Sequence, residues 1–278
     1  MKKSKFLYYL GVLGLIIFSL GPIVWCFIIS ITPEGEMLKA SGNFLPSELT
    51  FDNYANIFDT SNKAHISLFN GLTNSLLIAA ITLAIGIPVS ITAAYALVRS
   101  KFRGQKVILT FILMTIVIPV FTTIIPVYSI FRNNDMLDSL FWTAIIYVSA
   151  FIPLNMWIIM NYFKELPKEL WQAAMLDGFT ESQMFFKVVL PLSKPVILTS
   201  TLTMFIMSWK QYTIPMILIS SYDNKMLTMV MSEFMTRDAI NYGIIAVCGL
   251  VAVIPPALGA VLFRKFLVSG LTSGSVKG

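Results

Sequence analysis

The 278-residue chain is 56% hydrophobic and only 12% charged, with a formal net charge of +6. A soluble domain carries about 25% charged residues, so this chain has too little polar surface to cover a soluble core of its size. The composition therefore predicts a polytopic membrane protein. Cys26 and Cys248 lie inside apolar runs and form neither a disulfide framework nor a metal-ligand spacing, so we interpret them as small buried side chains.

Six apolar segments are long enough to cross a bilayer as helices, which takes about 20 residues. They are Phe6–Ile31, Gly71–Val98, Val107–Phe131, Leu140–Tyr162, Val196–Ser220 and Tyr242–Phe266. The first is too long for the apolar part of a signal peptide and precedes no small-x-small cleavage site, so we expect an uncleaved anchor. The sequence thus predicts an all-α fold, a bundle of six transmembrane helices that forms one transmembrane domain over residues 1–278.

The basic residues are distributed unevenly between the loops on the two sides. With the N-terminus in the cytoplasm, the inner segments hold Lys2, Lys3, Lys5, Arg99, Lys101, Arg103, Lys106, Lys164, Lys168, Lys187, Lys194, Arg264, Lys265 and Lys277. The outer loops hold only Lys39, Lys63, Arg132, Lys225 and Arg237. Because Lys and Arg in short loops favour the cytoplasm, we predict that both termini and the loop 163–195 are cytoplasmic.

Several predicted spans contain proline, namely Pro88, Pro119, Pro126, Pro153, Pro215 and the pair Pro255–Pro256. Two interpretations carry equal weight. The prolines either bend the bundle around a pathway, or they reflect the higher frequency of proline in membrane helices.

The outer segment Thr32–Asn70 is polar, and its stretch LTFDNYANIF could form a short amphipathic element. The segment either docks a partner, which we favour, or simply ties the first two spans together. It also holds the only histidine, His65, for which we expect no catalytic or metal-binding role.

The sequence of the loop 163–195 predicts two helices joined by a sharp turn. Pro167 suits the first turn of a helix, and Gly178 suits its C-terminal stop because glycine adopts positive φ easily. Thr180, three residues before Gln183, is a capping-box pattern that starts a second helix. We expect that helix to end at Leu190-Pro191. A rigid helix pair of this kind either binds a partner protein, which we favour, or packs against the ends of the chain's own transmembrane helices.

At these residues the chain resembles a known family. The spacing matches the coupling-loop signature of ABC-importer permeases. Ala173-Ala174 is followed after three residues by Gly178, then after nine residues by Val188, and then after one residue by Leu190-Pro191. The stretches FKELPKEL and SWKQYTIPMIL and the tail FLVSGLTSGSVKG are also similar to the carbohydrate-uptake subfamily, especially the second permease of maltose-type importers. The resemblance spans most of the chain and is densest from Met114 onward.

The signature departs from the family at two positions. The family has Glu where this chain has Gln172, which can hydrogen-bond but cannot form an ion pair with an ATPase subunit. The resemblance therefore implies docking through shape and through Asp177 or Glu169. Val188 replaces Ile and removes only one methylene.

The resemblance implies a permease, without enzymatic activity, in the plasma membrane of a prokaryote. Its partners would be a second permease, two cytoplasmic ATPase subunits and an extracytoplasmic solute-binding protein, with the coupling loop 163–195 on the ATPase. The tail Leu271–Gly278 is similar to one that contacts the ATPase interface. No cofactor is expected in this chain, since ATP and magnesium would bind the ATPase. The sequence contains no Gly-Lys pair and therefore no P-loop.

Lys210 lies inside the fifth predicted span, where a charge is costly. It either extends to the outer interface, which we favour, or serves the substrate pathway with Trp209, Gln211 and Tyr212, where aromatic side chains suit sugar stacking and a lysine suits an anionic sugar.

The function expected overall is carbohydrate import by alternating access. The alternatives are import of a non-sugar organic anion by the same mechanism, or a stand-alone carrier, which the absence of acids in the span cores argues against.

Overall fold

The computed structural model describes residues 2–37, 45–100, 102–236 and 241–272. All regular elements in these ranges are helices, which confirms the predicted all-α class. Four of the basic residues used to predict the orientation, Lys39, Lys101, Arg237 and Lys277, lie outside the described ranges, as do residues 273–278 of the C-terminal tail.

Fourteen α-helices follow one another in the described ranges. They are α1 (Lys2–Ser30), α2 (Glu34–Met37), α3 (Asp52–Phe58), α4 (Lys63–Arg99), α5 (Gln105–Met114), α6 (Val120–Asn133), α7 (Leu140–Glu165), α8 (Lys168–Leu176), α9 (Glu181–Met184), α10 (Leu190–Leu192), α11 (Lys194–Trp209), α12 (Thr213–Leu218), α13 (Leu227–Thr236) and α14 (Tyr242–Thr272). Short 3₁₀ turns occupy Thr115–Val117 and Tyr222–Asn224, and a π-helical turn occupies Phe185–Val189.

Four helices in the described part of the chain are long and apolar enough to cross a membrane: Lys5–Ser30, Lys63–Arg99, Leu140–Glu165 and Tyr242–Lys265. Two bent helix pairs raise the number to six if each pair counts as one span. The pairs are Gln105–Val117 with Phe121–Asn133, and Glu181–Leu192 with Lys194–Trp209, so the second pair begins before the predicted segment Val196–Ser220. The six predicted apolar segments are all mainly helical, but two of them are not single helices.

The predicted span Val107–Phe131 is broken in the middle. α5 passes into the 3₁₀ turn and ends at Ile118, whose backbone is extended at φ −69° and ψ 119°. Pro119 follows and precedes α6. A residue before proline is driven out of the α-helical region by the proline ring, which explains the break at this point.

The predicted span Val196–Ser220 is also two helices. α11 ends at Trp209, and residues 210–212 connect it to α12. Pro215 lies in the first turn of α12, where it cannot donate to the carbonyl of Gln211 four residues earlier and its ring crowds that carbonyl. By contrast, α4, α7 and α14 continue through Pro88, Pro153 and Pro255–Pro256.

The chain divides into two compact units, and α4 and α14 contribute residues to both. Unit 1 consists of Met1–Leu72 and Lys225–Ile254. In it, α3 forms the short element predicted from LTFDNYANIF, with Asn53 and Ile57 buried. The Asn53 amide donates to the carbonyl of Ser30 at 3.0 Å, and the hydroxyls of Ser30 and Tyr54 are 2.7 Å apart. This part of the segment Thr32–Asn70 is therefore hydrogen-bonded to the end of α1. The docking of a partner on the segment stays a prediction.

Unit 2 consists of Thr73–Asn224 and Pro255–Gly278 and holds the helix pair of the loop 163–195. Its core lies between α7 and α11. Met156, Ile159, Met160 and Phe163 of α7 are almost completely buried, as are Leu202 and Met204 of α11. This packing fixes the base from which the loop 163–195 projects.

Candidate functional site

The first helix of the pair in the loop 163–195, α8, ends in the way that its glycine predicts. Gly178 has φ +73°. The Phe179 amide donates to the carbonyl of Ala174 at 3.0 Å, and the Gly178 amide donates to that of Met175 at 3.1 Å. These two bonds form a Schellman motif, which satisfies the last carbonyls of the helix. The chain is thereby turned sharply within three residues.

The second helix starts at the predicted capping box. The Gln183 amide donates to the Thr180 hydroxyl oxygen at 3.3 Å, and the Thr180 amide donates to the Gln183 side-chain oxygen at 3.0 Å. Both ends of the turn between the helices are therefore closed by local hydrogen bonds. The turn is a stiff connection rather than a flexible linker.

The second helix ends at Leu192, one residue after the predicted Leu190-Pro191. The helical path continues from α9 through the π-turn and α10 to Leu192, and bends by 74° before α11. The π-turn accommodates Pro191, because a proline needs the carbonyl four residues earlier to be free of its usual bond. The bend is at Ser193, whose amide still donates to the carbonyl of Val189 at 3.0 Å.

The predicted coupling residues differ in exposure. Glu169, Gln172, Ala173, Asp177, Gly178 and Pro191 are exposed, Leu190 is half-buried and Ala174 is buried. On the second helix, two of the apolar side chains are turned inward, with Met184 and Val189 each 1% exposed. The pair thus packs partly on its own chain, as one of the two interpretations anticipated.

Another set of apolar side chains remains exposed on the helix pair. Leu176 is 88% exposed, Phe186 63% and Met175 51%. Leu176 and Met175 are at the C-terminal end of α8, next to the exposed Asp177 and Gly178. This surface, which we call the α8 tip (Met175–Gly178), is stiffly supported. Arg99 of α4 contacts the Met175 sulfur at 3.6 Å, whereas Leu176 remains 88% exposed.

Tyr95 and Arg99, near the end of α4, contact the start of the second helix. The Tyr95 hydroxyl donates to Glu181 Oε2 at 2.7 Å, and Arg99 Nε donates to Glu181 Oε1 at 2.8 Å. The residues are 82 and 86 positions from Glu181 in the sequence. Sequence reasoning missed this cluster: Arg99 counted only as a cytoplasmic charge, and no local pattern marks a contact across such a distance.

The four residues assigned to a substrate pathway surround the break between α11 and α12. Lys210 is exposed and caps the end of α11, its amide bonding to the carbonyl of Ile206 at 3.1 Å. No ion pair to Lys210 exists among the described residues. Trp209 is 8% exposed and stacks on Phe205 at 5.7 Å, whereas Tyr212 is 37% exposed. The prediction that Lys210 lies within a helical span is therefore corrected to a position at a helix end.

Beside this break is a cavity of about 720 Å³ in unit 2. Ile112, Ile116, Ile152, Met207 and Ile214 give it a mainly apolar wall, and Gln211 is one of its few polar lining residues. Of the four predicted pathway residues, only Gln211 lines the cavity.

The carboxylate of Asp138 holds the loop that follows α12 by hydrogen bonds. Asp138 accepts hydrogen bonds at 2.6 Å from the amides of Ser220 and Ser221 and at 2.8 Å from the Ser220 hydroxyl. Partial burial acts to raise the pKa of Asp138, but the donated hydrogen bonds outweigh it, and the net pKa lies below its usual value. Asp138 itself has φ +57°, which its short polar side chain tolerates.

The described part of the chain is all-helical, has helices apolar enough to cross a membrane and carries a stiff helix pair between two of them. Comparison with known proteins gives the family. Residues 86–273 match the family described as "Binding-protein-dependent transport system inner membrane component". The chain belongs to this family, whose members are the membrane permeases of ABC transporters.

Individual relatives are permeases of sugar importers. The chain is 30% identical to the sulfoquinovosyl glycerol transport system permease SmoH of Agrobacterium fabrum, over 95% of this chain and 91% of the relative. It is 30% identical to the trehalose permease SugB of Mycobacterium tuberculosis (94% and 93%) and 26% identical to the trehalose/maltose permease MalG of Thermococcus litoralis (99% and 98%). These matches confirm the expected carbohydrate-uptake permease.

The fold is also that of a solved transporter. The chain superposes on a chain of a bacterial ABC transporter involved in the import of the acidic polysaccharide alginate, with a TM-score of 0.75 and 21% identity, covering 95% of this chain and 98% of that one. A second structure of an alginate transporter, with its pentasaccharide-bound periplasmic protein, gives a TM-score of 0.67 at 16% identity.

Proposed function

We propose that this chain is one permease of a heterodimeric, ATP-driven importer that moves a carbohydrate into the cell by alternating access. Its partners are a second permease, two cytoplasmic ATPase subunits and an extracytoplasmic solute-binding protein. The membrane is a prokaryotic plasma membrane, crossed six times, with both termini and the loop 163–195 inside. In this arrangement the bent pair Gln105–Val117 and Phe121–Asn133 counts as one crossing. α11 together with the following α12 counts as another.

The single observation that carries the coupling role is the build of the cytoplasmic helix pair. A Schellman motif and a capping box close the turn at Gly178–Thr180 from both sides. A part that transmits displacement from an ATPase must be stiff, since a flexible loop would absorb the movement. The exposed α8 tip beside this turn supplies the apolar contact surface, and Leu176 at 88% exposure is its most prominent side chain.

In this proposal the residues of the pair have distinct tasks. Glu169, Gln172, Ala173 and Asp177 form the exposed side toward the ATPase. Ala174 has only a methyl group and is 5% exposed, so α8 can lie close to the chain behind it. Gln172 offers hydrogen bonds where an ion pair is impossible. Leu190 and Pro191 fix the path from the pair to the bend before α11. Neither ATP nor magnesium binds this chain in the proposal.

The substrate is a mono- or oligosaccharide, because the relatives transport sugars or sugar derivatives. Import of an anionic sugar is supported by one specific observation: Lys210, at the break after α11, is exposed and forms no ion pair with any residue that the structure describes. The relative at 30% identity that transports sulfoquinovosyl glycerol is consistent with it, and the equally similar trehalose permease is consistent with a neutral sugar.

Affinity purification of the tagged chain from its native membrane in mild detergent tests the proposed assembly. We expect a second six-span permease, an ATPase with a P-loop and a solute-binding protein to co-purify. The ligand of that binding protein then identifies the sugar. Isolation of this chain alone, also after crosslinking in the membrane, would contradict the proposal and favour a stand-alone carrier.

A further inference from the structure

One carboxylate joins the cytoplasmic helix pair to the end of α4. Both oxygens of Glu181 are engaged, Oε2 by the Tyr95 hydroxyl at 2.7 Å and Oε1 by Arg99 Nε at 2.8 Å. Arg99 Nη2 is 2.7 Å from Oε1 as well. Glu181 is the first residue of α9, immediately after the Thr180 cap. The contact therefore holds the second helix of the pair at the point where its position is set by the turn.

The same two residues of α4 also contact the first helix of the pair. The Arg99 guanidinium is 5.7 Å from the centre of the Trp171 ring, and Arg99 Nη2 is 3.6 Å from the Met175 sulfur. The Tyr95 ring is 6.1 Å from that of Trp171. Trp171 and Met175 lie on α8, so the last two turns of α4 contact both helices across the stiff turn.

Aromatic packing surrounds the polar contacts. The Tyr95 ring meets Phe185 of the π-turn at 4.8 Å and Phe163 of α7 at 6.5 Å, both edge-on. Phe163 is 1% exposed, so this side of Tyr95 faces the core of unit 2. Edge-to-face rings fix the direction of the Tyr95 hydroxyl, and the hydroxyl in turn fixes the carboxylate.

We propose that Glu181, with Arg99 and Tyr95, is a positioning group for energy coupling: it fastens the cytoplasmic helix pair to α4, so that displacement of the pair moves the cytoplasmic end of α4 with it. The inference rests on the proposed function, in which an ATPase displaces the pair. It assigns to α4 a task that nothing in the coupling loop's own sequence indicates.

The cluster is poorly suited to a purely stabilising role. The Arg99 and Glu181 side chains are 29% and 57% exposed, and water screens ion pairs of that kind, which usually add little to stability. Two donors on opposite oxygens of one carboxylate instead define a direction and a distance. Loss of Glu181 should therefore alter the transmission of movement more than it alters folding.

The test uses the complete transporter, purified and reconstituted into liposomes with its binding protein, and measures solute imported per ATP hydrolysed. For Glu181→Ala we expect this ratio to fall by about fivefold or more, the lower end of typical coupling between distant sites, with an unchanged unfolding temperature. The paired exchange Arg99→Glu with Glu181→Arg should recover a large part of the ratio. Glu165→Ala is the matched control, because Glu165 is an exposed acid of the same loop without an ion pair among the described residues.

The possible results separate the two proposals. An unchanged ratio in Glu181→Ala, with active wild type, would overturn the positioning role and leave the proposed function intact. A fall in unfolding temperature and in assembled complex, with a normal ratio in the molecules that remain, would also overturn it, because the cluster would then be structural. Wild-type liposomes without ATP-dependent uptake would overturn the proposed function and, with it, the inference.

Discussion

Ser200 of α11 donates a hydrogen bond to the side-chain oxygen of Asn155 of α7 at 2.8 Å, and both residues are 0% exposed. The Asn155 amide group donates in turn to the carbonyl of Phe151 at 2.9 Å. Among the described residues, this polar link crosses the most extensive helix–helix contact of unit 2. It joins the helix that precedes the coupling loop to the helix that follows it.

Removal of the Ser200 hydroxyl should destabilise this helix contact. Ser200→Ala leaves the Asn155 oxygen buried without a donor, which costs about 1–3 kcal/mol. Combining Ser200→Ala with Asn155→Leu removes both polar groups and should recover much of the loss. Thermal unfolding of the purified chain in detergent measures both variants, with Ser149→Ala, an exposed serine of α7, as the control. A double variant as unstable as the single one would contradict this account.

Side chains that tolerate positive φ should preserve coupling at Gly178, and those that do not should abolish it. Nothing lies within 4 Å of a Cβ built on Gly178, so the cost of a substitution comes from its φ of +73° alone. Asn adopts this region far more readily than a β-branched residue. We expect Gly178→Asn to retain most uptake and Gly178→Val to lose nearly all of it, measured as ATP-driven import at equal membrane levels. Similar uptake in both would show that the Schellman turn is unimportant.

Asp138 should stabilise the loop after α12 only while it is ionised. Because its pKa is lowered in the folded chain, its contribution is complete above the unfolded-state pKa of about 3.9 and disappears as the pH falls through the lower folded-state value. Asn at this position keeps the tolerance for positive φ but loses the charge. The unfolding temperatures of wild type and Asp138→Asn should therefore differ at pH 7 by a constant amount down to about pH 5. They should converge below about pH 4; a gap that persists at acid pH would argue against a charge effect.

The charge of Lys210 should matter for an anionic solute and not for a neutral one. In Lys210→Met, transport of an anionic sugar should fall by about tenfold, the equivalent of about 1.4 kcal/mol lost from its interaction in the pathway. Lys210→Arg keeps the charge and should retain most of the rate. In wild type and in both variants, uptake of the anionic sugar is compared with uptake of a neutral sugar by the same transport system. Equal rates in wild type and Lys210→Met for both solutes would assign Lys210 to the membrane interface instead.

Local chemistry in the sequence predicted the two helices of the loop 163–195 and the turn between them well. Gly178, Thr180 and Gln183 act within a few residues of each other, so their spacing alone specifies the turn. Hydropathy likewise located every apolar segment. It did not locate the breaks at Pro119 and after Trp209, because a broken span is as apolar as a continuous one and because α4, α7 and α14 continue through their own prolines.

Contacts between distant segments were beyond sequence reasoning. The Arg99–Glu181 pair joins residues 82 positions apart, and each of them resembles an ordinary charge at a membrane boundary. The sequence alone also does not show that Met184 and Val189 are turned inward, because an apolar face on a short helix does not reveal whether it packs on its own chain or on a partner.

The central claim is that the α8 tip lies against an ATPase on the cytoplasmic side, and crosslinking from Leu176 tests it most directly. Leu176→Cys places a thiol at a site that is 88% exposed, whereas Cys248 is buried and Cys26 is half-buried within unit 1. A bifunctional maleimide applied to native membranes should join this position to a subunit whose sequence contains a P-loop. Leu49→Cys, on an exposed residue of the outer segment, should not give that product. Labelling of Leu176→Cys from outside intact cells, without an ATPase adduct, would contradict the account.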